Sequence, residues 1–287
     1  KNGHHIFELK GHHQPVGTLI LTNDETKAIS GSWDSSIKIW DLKHGKEIMT
    51  LVGHKDKIRK ITLNSSNKIF ASASQDKSIK VWDIETGKCI MTLQGHEDTV
   101  RSVLFNKAGD KLFSSSDDKT IKIWDLKKEL CQFTLKGHTS FVETIALSPD
   151  EKTIVSGARD RTIRLWNAEN GNNIKVLSAH TRWVYKVAIS YDNRKIFSID
   201  SGQNLRIWDL KTGECLEVID GEFNIEKYAN SEYDYYPVVQ DIETKIYHVS
   251  KSDPIAYFPV PLTNAYLDKE NRLFGFAGNH VYVLKLC

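Results

Sequence analysis

The chain has 287 residues, is 40% hydrophobic and 26% charged, and carries a formal net charge of +2, the make-up of an ordinary folded domain rather than a fibrous or disordered one. So small a charge excludes the strongly basic footprint of a general nucleic-acid binder, and no apolar run approaches the ~18 residues of a membrane helix. The four cysteines, Cys89, Cys131, Cys215 and Cys287, form no CxxC pair, so they read as free thiols in a reducing, intracellular setting, cytoplasmic or nuclear.

From the N-terminus, residues 5–12 read HIFELKGH, a lone strand over residues 5–10 followed by Gly11-His12. The Gly-His pair returns at residues 53–54, 95–96 and 137–138, and Ala179-His180 continues the series. Downstream of each pair, SIKIWDLK, SIKVWDIE, TIKIWDLK, TIRLWNAE and NLRIWDLK begin at residues 36, 78, 120, 162 and 204, a constant step of 42. Within a repeat the hydrophobicity alternates with period 2. In the second, Ile58, Ile61 and Leu63 predict one strand, residues 69–72 another, residues 79–82 a third and residues 89–93 a fourth. Turns rich in Asn, Asp, Gly and Lys separate them.

Four of the clear repeats also carry His, Ser, Asp and Trp at matching offsets: His12, Ser30, Asp34 and Trp40; His54, Ser72, Asp76 and Trp82; His96, Ser114, Asp118 and Trp124; His138, Ser156, Asp160 and Trp166. One such set would suggest a nucleophilic hydrolase. Four identical sets, and no GxSxG elbow to expose a serine, point instead to a buried polar chain in which Trp donates to Ser, Ser meets His, and His meets Asp. Nothing in the chain reads as a catalytic group, a metal site or a cofactor loop, so it is not expected to be an enzyme. In the fifth repeat His180, Ser198 and Trp208 are present, but Gly202 stands where Asp is expected, and in the next Glu222 replaces His. These repeats are expected to be less tightly stapled.

A period near 42 with Gly-His and Trp-Asp signatures resembles the WD40-repeat family, one blade per repeat. The resemblance implies an all-β, seven-bladed β-propeller of four-stranded antiparallel blades, a single domain over residues 1–287. Five clear repeats occupy residues 11–219 and two degenerate blades residues 220–287. There KIYHVSKSDPIAYF (residues 245–258) parallels RIWDLKTGECLEVI (residues 206–219), with Tyr247 and Tyr282 in place of the motif Trp. Strands are expected near residues 264–268, 272–277 and 280–286, with the N-terminal strand completing the last blade.

In this family the face made by the Gly-His loops and the turns between second and third strands commonly binds peptides. Three positions per blade project there: three and five residues after the His, and the residue before the tetrad Asp. These are Pro15, Gly17 and Trp33; Lys57, Arg59 and Gln75; Thr99, Arg101 and Asp117; Phe141, Glu143 and Arg159; Trp183, Tyr185 and Ser201. Of the seven tryptophans, Trp33 and Trp183 alone fall outside the motif. The binding candidates are Trp33, Lys57, Arg59, Arg101, Phe141, Arg159, Trp183 and Tyr185, because large aromatics and arginines dominate binding hot spots. The plainer alternative is that each Trp packs on its neighbouring loop and that the cations are merely solvated.

The leading expectation is a non-catalytic protein-interaction scaffold that docks a peptide, acidic or phosphorylated, as a monomeric domain within a larger complex, with no membrane. The alternatives are a single-stranded-RNA-binding propeller, or a targeting or regulatory domain of a larger protein, since the chain opens on Lys1. The tyrosine-rich acidic stretch from Tyr228 to Tyr257 is either the filling of a divergent blade or a second contact surface.

Overall fold

The computed structural model describes the backbone of residues 4–219 and of six strands between residues 235 and 285, with side chains over residues 8–219. Every regular element among the described residues is a strand. Five four-stranded antiparallel sheets follow the 42-residue period. Sheet one holds Val16–Leu21, Lys27–Ser32, Ile37–Asp41 and Lys46–Leu51, paired in sequence order. Sheet two holds Ile58–Leu63, Ile69–Ser74, Ile79–Asp83 and Cys89–Leu93, at the positions that alternation predicts. Sheets three, four and five repeat the pattern from Val100, Val142 and Val184.

Burial explains the residue choice. The second strand of sheet one, KAISGS, is buried at every position but the first, and sheets two to four repeat this. A strand covered on both faces needs small or apolar residues rather than alternation. The cores lie between sheets. Ile29, Ile37, Ile39 and Leu51 of sheet one pack with Ile58, Ile61, Phe70 and Trp82 of sheet two. Trp124 and Val103 pack on Ala71 and Val81, Trp166 and Ile154 on Phe113 and Ile123, and Trp208 and Ile196 on Val155 and Leu165. Each motif Trp thus buries itself against the preceding sheet. An indole removed from water contributes roughly 5 kcal/mol before entropy is counted. Leu9 plays the preceding sheet's part for Val16, Ala28 and Trp40.

Two irregularities recur in register. The fourth strand bulges opposite the motif Trp, and the residue it leaves without a ladder partner is Ile48, Ile90, Gln132, Ile174 or Leu216. The first strand bulges one residue in, and the residue it leaves without a ladder partner is Gly17, Arg59, Arg101, Glu143 or Tyr185. A bulge bends the strand and re-aims the extra side chain.

Beyond residue 219, Tyr235–Gln240, Glu243–His248 and Pro254–Phe258 form a three-stranded sheet. Thr263–Leu267, Arg272–Ala277 and His280–Lys285 form another, in which His4–Leu9 pairs antiparallel with His280–Lys285. Glu222, Cys287, and the side chains of the Tyr228–Tyr257 stretch and of Tyr282 lie outside the described residues.

Candidate functional site

The loop carrying each His and the turn before the third strand are tied together by the polar chain. In sheet three, His96 Nδ1 lies 2.7 Å from Asp118 Oδ2, His96 Nε2 2.7 Å from Ser114 Oγ, and Trp124 Nε1 donates to Ser114 Oγ at 2.8 Å. The sets on His12, His54 and His138 have the same geometry. Burial pushes His12, His96 and His180 down, more than their carboxylate partners pull them up, so these rings are neutral. A carboxylate only accepts, so Nδ1–H donates to Asp, and Nε2 accepts from the Ser hydroxyl, whose oxygen takes the indole N–H.

The carboxylate also has partners that the four-residue motif omits. Asp118 Oδ2 accepts the Glu97 backbone N–H at 3.0 Å, and Oδ1 accepts the N–H and the hydroxyl of Thr120 at 2.9 and 2.7 Å. Ser36, Ser78 and Thr162 play the part of Thr120 in the other sets. The signal was present in the sequence, since the motif segments open with S, S, T and T. Burial works to raise these carboxyl groups, but the bonds outweigh it. Asp34 stands lowered to about 2, and Asp76, Asp118 and Asp160 are held well below the usual carboxylate range. The bonds also hold the turn in shape: Ser35, Lys77, Lys119 and Arg161 take positive φ of 65–70°, which non-glycine residues adopt only when their surroundings compel it.

The fifth repeat corrects the expectation of a loose staple at Gly202. Asp200 Oδ2 lies 3.0 Å from His180 Nδ1, and the His180–Ser198–Trp208 chain continues at 2.7 and 2.8 Å. Asp200 occupies the position of Ser32, Ser74 and Ser116, two residues earlier than the usual Asp. Its Oδ1 accepts the backbone N–H of Gly202 at 2.9 Å and the side chain of Asn204 at 3.1 Å. The last residue stands where the other repeats have Ser or Thr.

With loop and turn so joined, the predicted face positions come together. In each sheet the residue 21 positions after the His donates its N–H to the carbonyl three residues past the His: Trp33 to Pro15, Gln75 to Lys57, Asp117 to Thr99, Arg159 to Phe141, Ser201 to Trp183, all at 2.9 Å. The bulge then brings in the third side chain. Arg59 Nη2 donates to Gln75 Oε1 at 2.6 Å, and Arg101 binds Asp117 through paired bonds of 2.7 and 2.8 Å. Arg159 pairs with Glu143, which lies 3.5 Å from Arg101 across the sheet boundary.

Aromatic rings close both ends of this row. Lys57 Nζ sits 4.7 Å from the Trp33 ring centre and the Arg59 guanidinium 5.8 Å from it. Arg159 lies between Phe141 and Trp183, 5.0 Å from each, and Trp183 meets Tyr185 edge-on at 6.2 Å. Trp33 and Trp183 remain 39% exposed. Thr99 and Asp117, expected to project outward, are instead buried, the Asp117 carboxylate beneath Arg101. Arg101 and Arg159, both binding candidates from sequence, already hold carboxylates of this chain.

Among the described residues no group of His, Cys, Asp and Glu could hold a metal ion, and no helix is long and apolar enough to cross a membrane. Cys89, Cys131 and Cys215 are free thiols. A family model described as "WD domain, G-beta repeat" matches residues 3–41, 45–83, 87–125, 129–167 and 171–209, about two thirds of the chain. No curated protein matches the chain.

Proposed function

The chain belongs to the WD40-repeat family, and on that premise we propose that it is a docking platform without catalytic chemistry of its own. Repeats of this family generally serve as scaffolds for protein contacts. The finer reading is a single seven-bladed propeller over residues 1–287. It has five blades from the matched repeats and two from the C-terminal strands, and His4–Leu9 closes the ring. The pairing of His4–Leu9 with His280–Lys285 supports that closure.

On this reading a peptide motif or partner loop lies across the face from Trp33 to Tyr185, in an intracellular complex to which the chain contributes one copy. The observation that carries it is the row itself: two tryptophans outside the motif, half in water, pre-positioned by cations rather than buried. Rigid aromatics cost little ordering on binding, and a Trp at a rim has no core role to explain it. The end beside Lys57 and Arg59 favours an acidic or phosphorylated residue.

A screen of the whole chain against a peptide array tests this, beside a Trp33→Ala/Trp183→Ala variant whose fold is checked by circular dichroism. The wild type is expected to select one motif and the folded variant to lose it. Equal selection by both would remove the site from this face. The competing reading, single-stranded RNA stacked on these rings, predicts binding that falls steeply with salt; an RNA oligomer in the same screen separates the two.

A further inference from the structure

The counter-charges along the row are unevenly shared. Arg101 has two carboxylates, Asp117 and Glu143, and Arg159 has Glu143. Among the described residues Arg59 has the neutral amide oxygen of Gln75 as its one acceptor, and its Nε is buried without one. Lys57 rests over Trp33, and the Asp56 carboxylate beside it accepts the Lys57 backbone N–H at 2.7 Å. Burial and then the Arg101 charge push the Arg59 guanidinium down, more than Asp117, Asp56 and Glu143 push it up. An arginine so placed gains from an anion that brings its own charge.

Resting on the docking reading above, we infer that Lys57 and Arg59, beside Trp33, form the recognition site for a phosphorylated side chain of the docked peptide. Among the described residues these two neighbouring cations have no ion-pair partner, and a phosphomonoester carries about −1.5 to −2 at neutral pH. A carboxylate would match only one of them. The partly exposed Arg59 guanidinium supplies directional donors, which it offers to phosphate oxygens and an ammonium does not. Trp33 covers the carbon stem of the phosphorylated residue. The neighbouring sheet shows what removes such a site. Asp117 stands where Gln75 stands, and there the arginine is occupied from within the chain.

The test uses the whole chain, isotope-labelled, with the Arg59 Nε–H and Trp33 indole N–H signals followed by NMR. The probes are capped phosphothreonine, capped glutamate and a short oligouridine. Phosphothreonine is expected to shift both signals and to saturate at a concentration at least about tenfold below glutamate. Both Arg59→Gln and Gln75→Asp should abolish that advantage, the second without removing the arginine and in an arrangement that sheet three already folds. Glutamate of equal potency, a silent Arg59, an unaffected Gln75→Asp variant, or oligouridine as the tightest probe would each overturn the inference. A plain peptide that docks on this face while phosphothreonine leaves Arg59 unmoved would retire this inference and leave the docking reading standing. A phosphothreonine response in a chain that docks no peptide would support the anion site and retire the docking reading alone.

Discussion

The Asp200 carboxylate meets the His180 ring at 3.0 Å from a position two residues earlier than its counterparts in the other four repeats. In those repeats the buried position holds Ser32, Ser74, Ser116 or Ala158, and the Asp begins the turn. In the fifth the strand residue itself supplies the carboxylate, and Asn204 replaces the Ser or Thr that normally bonds it. The same chemical need is met by a different backbone position.

That equivalence is testable. Asp200→Ser alone leaves His180 Nδ1–H buried without an acceptor and should cost about 1–3 kcal/mol. Adding Gly202→Asp rebuilds the arrangement of repeats one to three and should recover most of the loss. The Cβ it adds meets the flexible Arg182 side chain, whose Cδ lies 2.9 Å away. Thermal unfolding of wild type, single and double variants checks this; a double variant no more stable than the single would refute it.

Asp118→Ala breaks the staple in sheet three. It strips His96, the Glu97 N–H and Thr120 of their acceptor. The expected loss is about 1–3 kcal/mol, or roughly 2–10 °C in Tm for a chain of this size. Calorimetry showing an unchanged Tm would mean that the tetrad does not stabilise the fold.

The pH dependence follows from the same groups. His12, His96 and His180 have folded pKa values below the ordinary 6.5, so between folded and unfolded values the unfolded chain binds more protons. Stability then rises with pH across that window and declines as pH falls below about 6.5. The carboxyl groups of Asp34, Asp76, Asp118 and Asp160 are also lowered, from 3.8, so their contribution is complete above that value and is lost on further acidification. A Tm series from pH 8 to 3 should show a gentle decline below 6.5 and a steeper one below about 4. A Tm that rises between pH 7 and 5 would contradict the neutral-histidine assignment.

Glu143→Gln removes the carboxylate shared by Arg101 and Arg159. Arg101 keeps Asp117, and Arg159 is substantially exposed, so solvent screening limits the loss to about 0–1 kcal/mol. A fall in Tm of more than ~4 °C would show that this bridge is structural rather than a support for the face.

Much of the fold was legible because a 42-residue period repeats one solution five times. The strands of sheet two fall where Ile58, Ile69, Ile79 and Cys89 place them, since alternation and turn residues are local signals. The face positions were also legible, because each lies at a constant offset from His. What each side chain binds there was not. The partner of Arg101 in Glu143 is 42 residues away and depends on how two sheets abut. The bulges that free Arg59 and Tyr185 leave no compositional mark. The carboxylate at Asp200 was missed because offset was taken for role, whereas the ring nitrogen requires only an acceptor within reach.

The most direct test of the docking face uses the seven tryptophans as reporters of each other. Trp40, Trp82, Trp124, Trp166 and Trp208 each donate their indole N–H to a buried serine, whereas Trp33 and Trp183 stand half-exposed at the two ends of the row. Titrating an array-selected peptide into the labelled chain and recording the indole N–H signals should move those of Trp33 and Trp183 and leave the other five in place. Binding that leaves Trp33 and Trp183 still, or that moves the buried five instead, would place the partner elsewhere on the molecule.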